Sequence, residues 1–292
     1  MASSTPAERG WSHCTQFTVS SSRQSESYLI QTFAPCQTPP EGGFPALFCL
    51  DGNALFHSAC DIAALIANPR RLHPDMRPVL IVAIGYPDNS TFHETQRARD
   101  FTPVPTAAQR KASPFEFGRA SDFFDFIERD LKPQVQQRFP VDAQQQSLFG
   151  HSLGGLFVMH TYLQHPHSFC KFVAASPSVW YNDFELVALQ RAWAETLGNK
   201  GAEPKAAPLM VTFGSLENSG PSRRSAAETQ CFREEFLSTL TKLSASHPVW
   251  VYSHPAEHHI TNLFASLPKA IVFASCQSAE ACKTLLDDKA VP

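Results

Sequence analysis

Gly150-His151-Ser152-Leu153-Gly154 places a serine between two glycines, the spacing by which a strand-turn-helix junction lifts a nucleophile clear of the backbone. The cause is steric. The serine holds a strained conformation at the tip of the turn, strand and helix approach closely around it, and only small residues fit two positions to either side. Gly150 and Gly154 are those residues. The polar run Asp142 to Gln146 leads into a short apolar strand, and Leu156, Phe157, Met159, His160 and Leu163 then carry an apolar helical pattern. The implied chemistry is nucleophilic attack by the Ser152 hydroxyl.

A serine hydroxyl is a weak nucleophile and needs a base within hydrogen-bond reach, oriented in turn by a carboxylate. Behind an elbow of this kind the chain order is serine, acid, histidine. Of the twelve histidines, His57, His73, His165 and His167 read as surface or loop residues, and His151 packs beside the serine. His258 and His259, in the loop after the last strand, both satisfy the order and both stay open on chemistry alone. Glu217, at the exit of the strand Ala207 to Gly214, is the first choice of acid, with Asp183 and Glu228 as rivals. Asp51-Gly52-Asn53 follows an early central strand, where a second backbone donor is needed. The N–H groups of Asn53 and Leu153 are the expected oxyanion hole.

The elements that must position these groups alternate between strand and helix from Phe44 onward, which predicts an α/β-hydrolase fold with a mostly parallel central sheet and helices on both faces. The 292 residues are read as one domain, with 1–43 forming an N-terminal hairpin and loop at the sheet edge. Pro78 to Tyr86 is the clearest buried strand. After it, Pro87 to about Ser121 reads as a long polar loop carrying Arg97, Arg99, Arg110, Lys111 and Arg119 at a strand's carboxyl end, where open α/β sheets bind ligands. Arginines pointing inward there imply an anionic substrate. Asp122 to Phe139 reads as one amphipathic helix.

The formal charge of -3 gives no electrostatic case for nucleic acid or an anionic membrane. The N-terminus lacks the apolar core of a signal segment and no stretch is long enough to span a bilayer, so a cytoplasmic protein is expected. The eight cysteines are scattered, without the spacing of a zinc site, and read as reduced thiols. No metal or organic cofactor is indicated.

Taken together, Asp51-Gly52-Asn53, Ile84-Gly85-Tyr86-Pro87, Arg97 to Pro103, Gly150 to Gly155 and Ala175-Ser176-Pro177-Ser178 resemble the esterase D-like α/β-hydrolases, specifically the trilactone esterases of catecholate siderophores. The resemblance implies hydrolysis of an enterobactin-like or salmochelin-like macrolactone, often Fe(III)-loaded, so that iron is released inside the cell. It places Ser152 at the nucleophile, His259 at the base and Arg97 at a substrate-binding arginine, with Arg99 beside it. In some members a Ser-His dyad works without a well-placed acid. A general carboxylesterase or thioesterase acting on acetyl, feruloyl or S-acyl substrates is the alternative. An inactive hydrolase-fold binding protein ranks third.

Overall fold

A computed structural model describes residues 14–35, 38–70, 72–88, 90–112, 114–199, 207–217, 226–244 and 247–286. The readings made on residues 1–13 and on Cys36 lie outside them. Eight strands form one sheet in the order β1-β2-β4-β3-β5-β6-β7-β8. They are β1 (Cys14–Ser20), β2 (Ser27–Phe33), β3 (Phe44–Cys49), β4 (Leu80–Gly85), β5 (Val141–His151), β6 (Lys171–Ala175), β7 (Leu209–Gly214) and β8 (Val249–His254). Strands β3 to β8 are mutually parallel, and the antiparallel β1–β2 hairpin joins their edge through an antiparallel β2–β4 pairing.

Every residue of β3, β4 and β7 is buried, which explains their unbroken apolar runs, because both faces of the sheet are covered. Along β4, Leu80, Val82 and Ile84 enter one core while Ile81 and Ala83 enter the other. Helices α1 (Gly52–Ile66), α9 (Thr261–Ser275) and α10 (Ala279–Leu286) close the second core. The first lies beneath α2 (Glu94–Phe101), α6 (Leu153–Gln164), α7 (Tyr181–Asn199) and α8 (Ala226–Ser244), together with the helical stretch preceding β5.

That stretch is three segments rather than one regular helix. It runs through α4 (Ala120–Asp125), a π-helical turn (Phe126–Leu131) and α5 (Lys132–Arg138), and the wider turn keeps Phe126, Ile127 and Leu131 all inward. The segment 87–121 also departs from expectation, since it folds α2 and the short α3 (Ala107–Ala112). Helix α2 escapes a periodicity reading because its buried face includes Arg99 and Asp100 beside Ala98 and Phe101.

The site is set by how the chain leaves β3 and β5. These neighbours are parallel, yet α1 packs on one face and α6 on the other, so their carboxyl ends open a crevice at a topological switch point. Both exits are sharp turns with positive φ, at Asp51 (φ 56°) and at Ser152 (φ 59°, ψ -115°). Each such residue costs about 1–3 kcal/mol and persists only where its surroundings over-determine it.

Close packing around the Ser152 turn supplies that constraint, but not through the expected pair of glycines. A Cβ on Gly150 would lie 2.4 Å from the Gly154 carbonyl oxygen, and one on Gly155 would lie 2.8 Å from the Ala175 carbonyl oxygen. A Cβ on Gly154 meets nothing closer than 3.5 Å, ordinary van der Waals contact. Gly150→Ala and Gly155→Ala are therefore expected to lower stability by about 1–3 kcal/mol, the cost of overpacking. Gly154→Ala is expected to leave the thermal midpoint unchanged or raised, and melting curves of the three variants check the difference.

Candidate active site

Ser152 sits at the N-terminal end of α6, its turn stitched to the exit of β6 by two backbone bonds. Its N–H donates to the Ala175 carbonyl at 3.0 Å, and its own carbonyl accepts from the Ser178 N–H at 3.1 Å. The Ser152 Oγ lies 3.0 Å from His259 Nε2. On the far side of the ring, His259 Nδ1 is 3.5 Å from Glu217 Oε2. A carboxylate oxygen only accepts, so Nδ1 carries the proton and Nε2 is the acceptor for the serine hydroxyl. The structure thus brings Ser152, His259 and Glu217 together. The ring of His258 is exposed, Glu228 is exposed on α8, and Asp183 sits in a left-handed stretch, Asn182 to Phe184, at the start of α7.

Glu217 is anchored from behind. Its Oε1 accepts from the Ser176 hydroxyl at 2.6 Å and from the Gly214 N–H at 2.5 Å. Burial is the largest single influence and pushes this carboxyl up, but the His259 ring, Ser176 and Gly214 together outweigh it and hold it below its ordinary value. Asn262, fully buried, donates to Ser176 Oγ at 2.7 Å and to Thr212 Oγ1 at 3.3 Å, and its amide oxygen meets His254 Nδ1 at 2.7 Å.

His151 pins the histidine loop, since its Nε2–H donates to the His259 carbonyl at 2.7 Å. Burial, followed by the neighbouring His259, lowers the His151 pKa to about 3, so this ring is neutral across the physiological range.

Leu153 is the first residue of α6 and Asn53 the second of α1, so their N–H groups have no acceptor within their own helices. The Asn53 side chain is fixed to the end of β4, accepting from the Tyr86 N–H at 2.8 Å and donating to the Tyr86 and Asp88 carbonyls at 3.0 and 3.1 Å. Arg97 cross-braces the two turns. Its Nε and Nη2 grip the Asp51 carboxylate at 2.9 Å each, and Nη2 also reaches the His151 carbonyl at 3.4 Å.

Arg97 and Arg99, read from the sequence as groups facing an anionic substrate, both meet protein carboxylates in the structure. Arg97 is turned onto Asp51, and Arg99 is buried against Asp100 at 2.7 Å and Glu26 at 2.5 Å, in a cluster that also receives the Tyr28 and Tyr86 hydroxyls. A guanidinium at such depth is costly unless paired, and here protein carboxylates are the partners. Beside the site stand exposed apolar groups instead. Trp180, Leu216 and Ile260 are 42%, 37% and 59% exposed, each within two residues of Ser178, Glu217 or His259.

Residue-type reasoning missed Asp51, Ser176, Ser178 and Asn262 as members of the site. For the two serines a signal existed in Ser176-Pro177-Ser178 directly after a strand; for Asn262 none did. Among the described residues no helix is long and apolar enough to cross a membrane. The assembled groups are those of nucleophilic acyl transfer: a hydroxyl bonded to an imidazole, a carboxylate fixing the tautomer, and helix-terminal N–H groups beside them.

The sequence matches the Esterase family model, described as "Putative esterase", over residues 21–270. It is 32% identical over 263 residues to the ferri-bacillibactin esterase BesA of Bacillus subtilis, covering 88% of this chain and 87% of that one. With the siderophore triacetylfusarinine C esterase of Aspergillus fumigatus it shares 36% identity over 212 residues, covering 70% and 69%. Among solved structures, the BES protein of Bacillus cereus matches with a TM-score of 0.75 at 30% identity, over 90% of this chain and 96% of that chain. The chain belongs to the esterase family, as a hydrolase acting on esters in the α/β-hydrolase fold.

Proposed function

We propose that this chain hydrolyses the ester bonds of a siderophore macrolactone, with Ser152 as nucleophile, His259 as base and Glu217 as the carboxylate behind it, so that iron carried by the substrate is released inside the cell. The observation that carries the catalytic part is the 3.0 Å contact between Ser152 Oγ and His259 Nε2 at a strained turn on the switch point. The substrate class rests on the relatives, whose names specify siderophore esters.

In this reading the Ser152 oxygen attacks the ester carbonyl while its proton passes to His259 Nε2. Glu217 stabilises the imidazolium, and the N–H groups of Asn53 and Leu153 hold the oxyanion. Collapse expels the alcohol with the proton from His259. Water then cleaves the acyl-enzyme by the same steps in reverse order. An enterobactin-like catecholate lactone is the first substrate to test, in apo and ferric forms. The apolar residues Trp180, Leu216 and Ile260, together with the internal pairing of Arg97 and Arg99, favour a less charged ester as the second.

Mass spectrometry of products from apo and ferric enterobactin should find linear fragments with the wild type and none with Ser152→Ala, whose kcat falls roughly 10⁴-fold or more. Cleavage of p-nitrophenyl esters alone would move the assignment to a general esterase. Glu217→Gln is expected to lower kcat on the order of 10⁴-fold through the lost tautomer and imidazolium stabilisation.

The same substitution tests a pH-dependent contribution to stability. Because the folded-state pKa of Glu217 is depressed, its contribution is present above the unfolded carboxylate pKa and disappears as pH falls through the folded one. The stability gap between wild type and Glu217→Gln should therefore be open at pH 7 and close in acid, as read by denaturant melts across that range.

A further inference from the structure

The hydroxyl of Ser178 lies 3.3 Å from the Ser152 hydroxyl and has no part in the reaction steps above. Its donor direction follows from proton counting. Glu217 fixes the proton on His259 Nδ1, so Nε2 must accept from Ser152, and Ser152 has only one hydroxyl proton. The contact between the two serines is therefore donated by Ser178 and accepted by the nucleophilic oxygen. The Ser178 side chain does not reach this place by chance rotation, because its own N–H is bonded to the Ser152 carbonyl at 3.1 Å and the residue is 2% exposed.

The segment that follows is clamped as well. The Ser178 carbonyl accepts from the Tyr181 N–H, the Tyr181 hydroxyl donates to the Pro103 carbonyl at 3.0 Å, and Asn182 accepts from the Thr106 N–H and donates to the Val104 carbonyl. Three successive residues with positive φ, Asn182 to Phe184, lie beside this clamp. Left-handed backbone of this kind costs about 1–2 kcal/mol per residue and is kept only where surrounding contacts impose it.

We propose that Ser178 is a further catalytic residue, a fixed hydrogen-bond donor to Ser152 Oγ that stabilises the charge this oxygen carries on entering and leaving the acyl-enzyme. This rests on the reading of Ser152 as nucleophile. During acylation the Ser152 O–H bond breaks, its proton moves to His259 Nε2, and the oxygen bonds to the carbonyl carbon; the ester C–O bond then breaks and the alcohol leaves with that proton, freeing Nε2. During deacylation water adds to that carbon and gives a proton to His259. The bond from carbon to Ser152 Oγ then breaks, its electron pair returns to the oxygen, and His259 restores the proton. Ser178 keeps its own proton throughout. Its bond is long and neutral in the resting site and shortens as charge builds on Oγ, so it acts on the transition states more than on the bound substrate.

The test is Ser178→Ala, with Ser178→Thr as the variant that keeps a hydroxyl and Ser152→Ala as control. They would be assayed on p-nitrophenyl acetate for burst and steady-state rates and with a fluorophosphonate probe for labelling of Ser152. Ser178→Ala is expected to slow kcat and the labelling rate about tenfold, below the 10²–10³ of a full oxyanion donor, with KM and the melting temperature unchanged and Ser178→Thr partly restored. Wild-type kcat and labelling in Ser178→Ala, or a change in KM alone, would overturn the proposal while an inert Ser152→Ala leaves the nucleophile standing. Retained turnover in Ser152→Ala would instead remove the catalytic reading itself.

Discussion

The constraint on which the rest depends is the close approach of β5, α6 and the exit of β6 around one residue with an unfavourable backbone. Ser152 can be held at φ 59° because a Cβ is absent at Gly150 and Gly155 and because backbone bonds to Ala175 and Ser178 tie the turn to the next strand. Removing either space would push the strand and the helix apart. Their separation would also move the Leu153 N–H, which the turn carries, and the Ser178 hydroxyl, whose segment after β6 is bonded to the turn. Strain at the nucleophile and order in its surroundings are therefore one property. A turn that relaxed to a common conformation would need no glycines and would hold no group in place.

Electrostatics follow the same logic of mutual support. Glu217, Asp51 and Asp100 are carboxylates at depths where an isolated charge would be expensive, and each is satisfied by several donors. Breaking such a pair by removing one partner typically costs about 3–5 kcal/mol, because the other charge is left buried and alone. The three clusters differ in consequence. Arg99 with Asp100 secures α2 and the β1–β2 edge through Glu26, Tyr28 and Tyr86. Arg97 with Asp51 joins the two turns that flank the crevice. Glu217 alone faces a group that changes protonation in the proposed reaction, and its own pKa is held down by that ring, Ser176 and Gly214.

Strand runs and the elbow were legible in the sequence because each rests on a local rule: apolar stretches covered on two faces, and a five-residue turn whose shape dictates its residue types. The order of serine, acid and histidine was legible for a topological reason, since all three lie after parallel strands. What sequence could not convey is where long side chains turn. Arg97 and Arg99 look alike beside a strand end, and only the positions of Asp51, Asp100 and Glu26, remote in the chain or adjacent by accident of helix phase, decide that both point at protein. Helix α2 was hidden for the same reason, a charge pair occupying what a periodicity rule reserves for apolar residues. Gly154 was over-read because the motif names a spacing, while the clash depends on the path of the β6 exit. His259 rather than His258 meets the serine because one is directed inward by the loop that His151 pins.

A division of labour follows from these placements. Ser152, His259 and Glu217 are half-buried, hydrogen-bonded to one another and tied to the sheet through Ala175, Gly214 and, by way of Asn262, Thr212. Trp180, Leu216 and Ile260 stand at the edge of the same region but are exposed, on connecting segments rather than strands. Substitution at Gly150, Gly155 or Glu217 disturbs the strained turn or the carboxylate behind the imidazole, whereas Trp180, Leu216 and Ile260 make no bond to that turn and can change without loosening it. Substrate choice can therefore drift among relatives that keep the turn, the imidazole and the carboxylate fixed. The switch point makes this separation geometric, because the loops at its rim leave the sheet on opposite faces and are free to vary without moving the two helix ends between them.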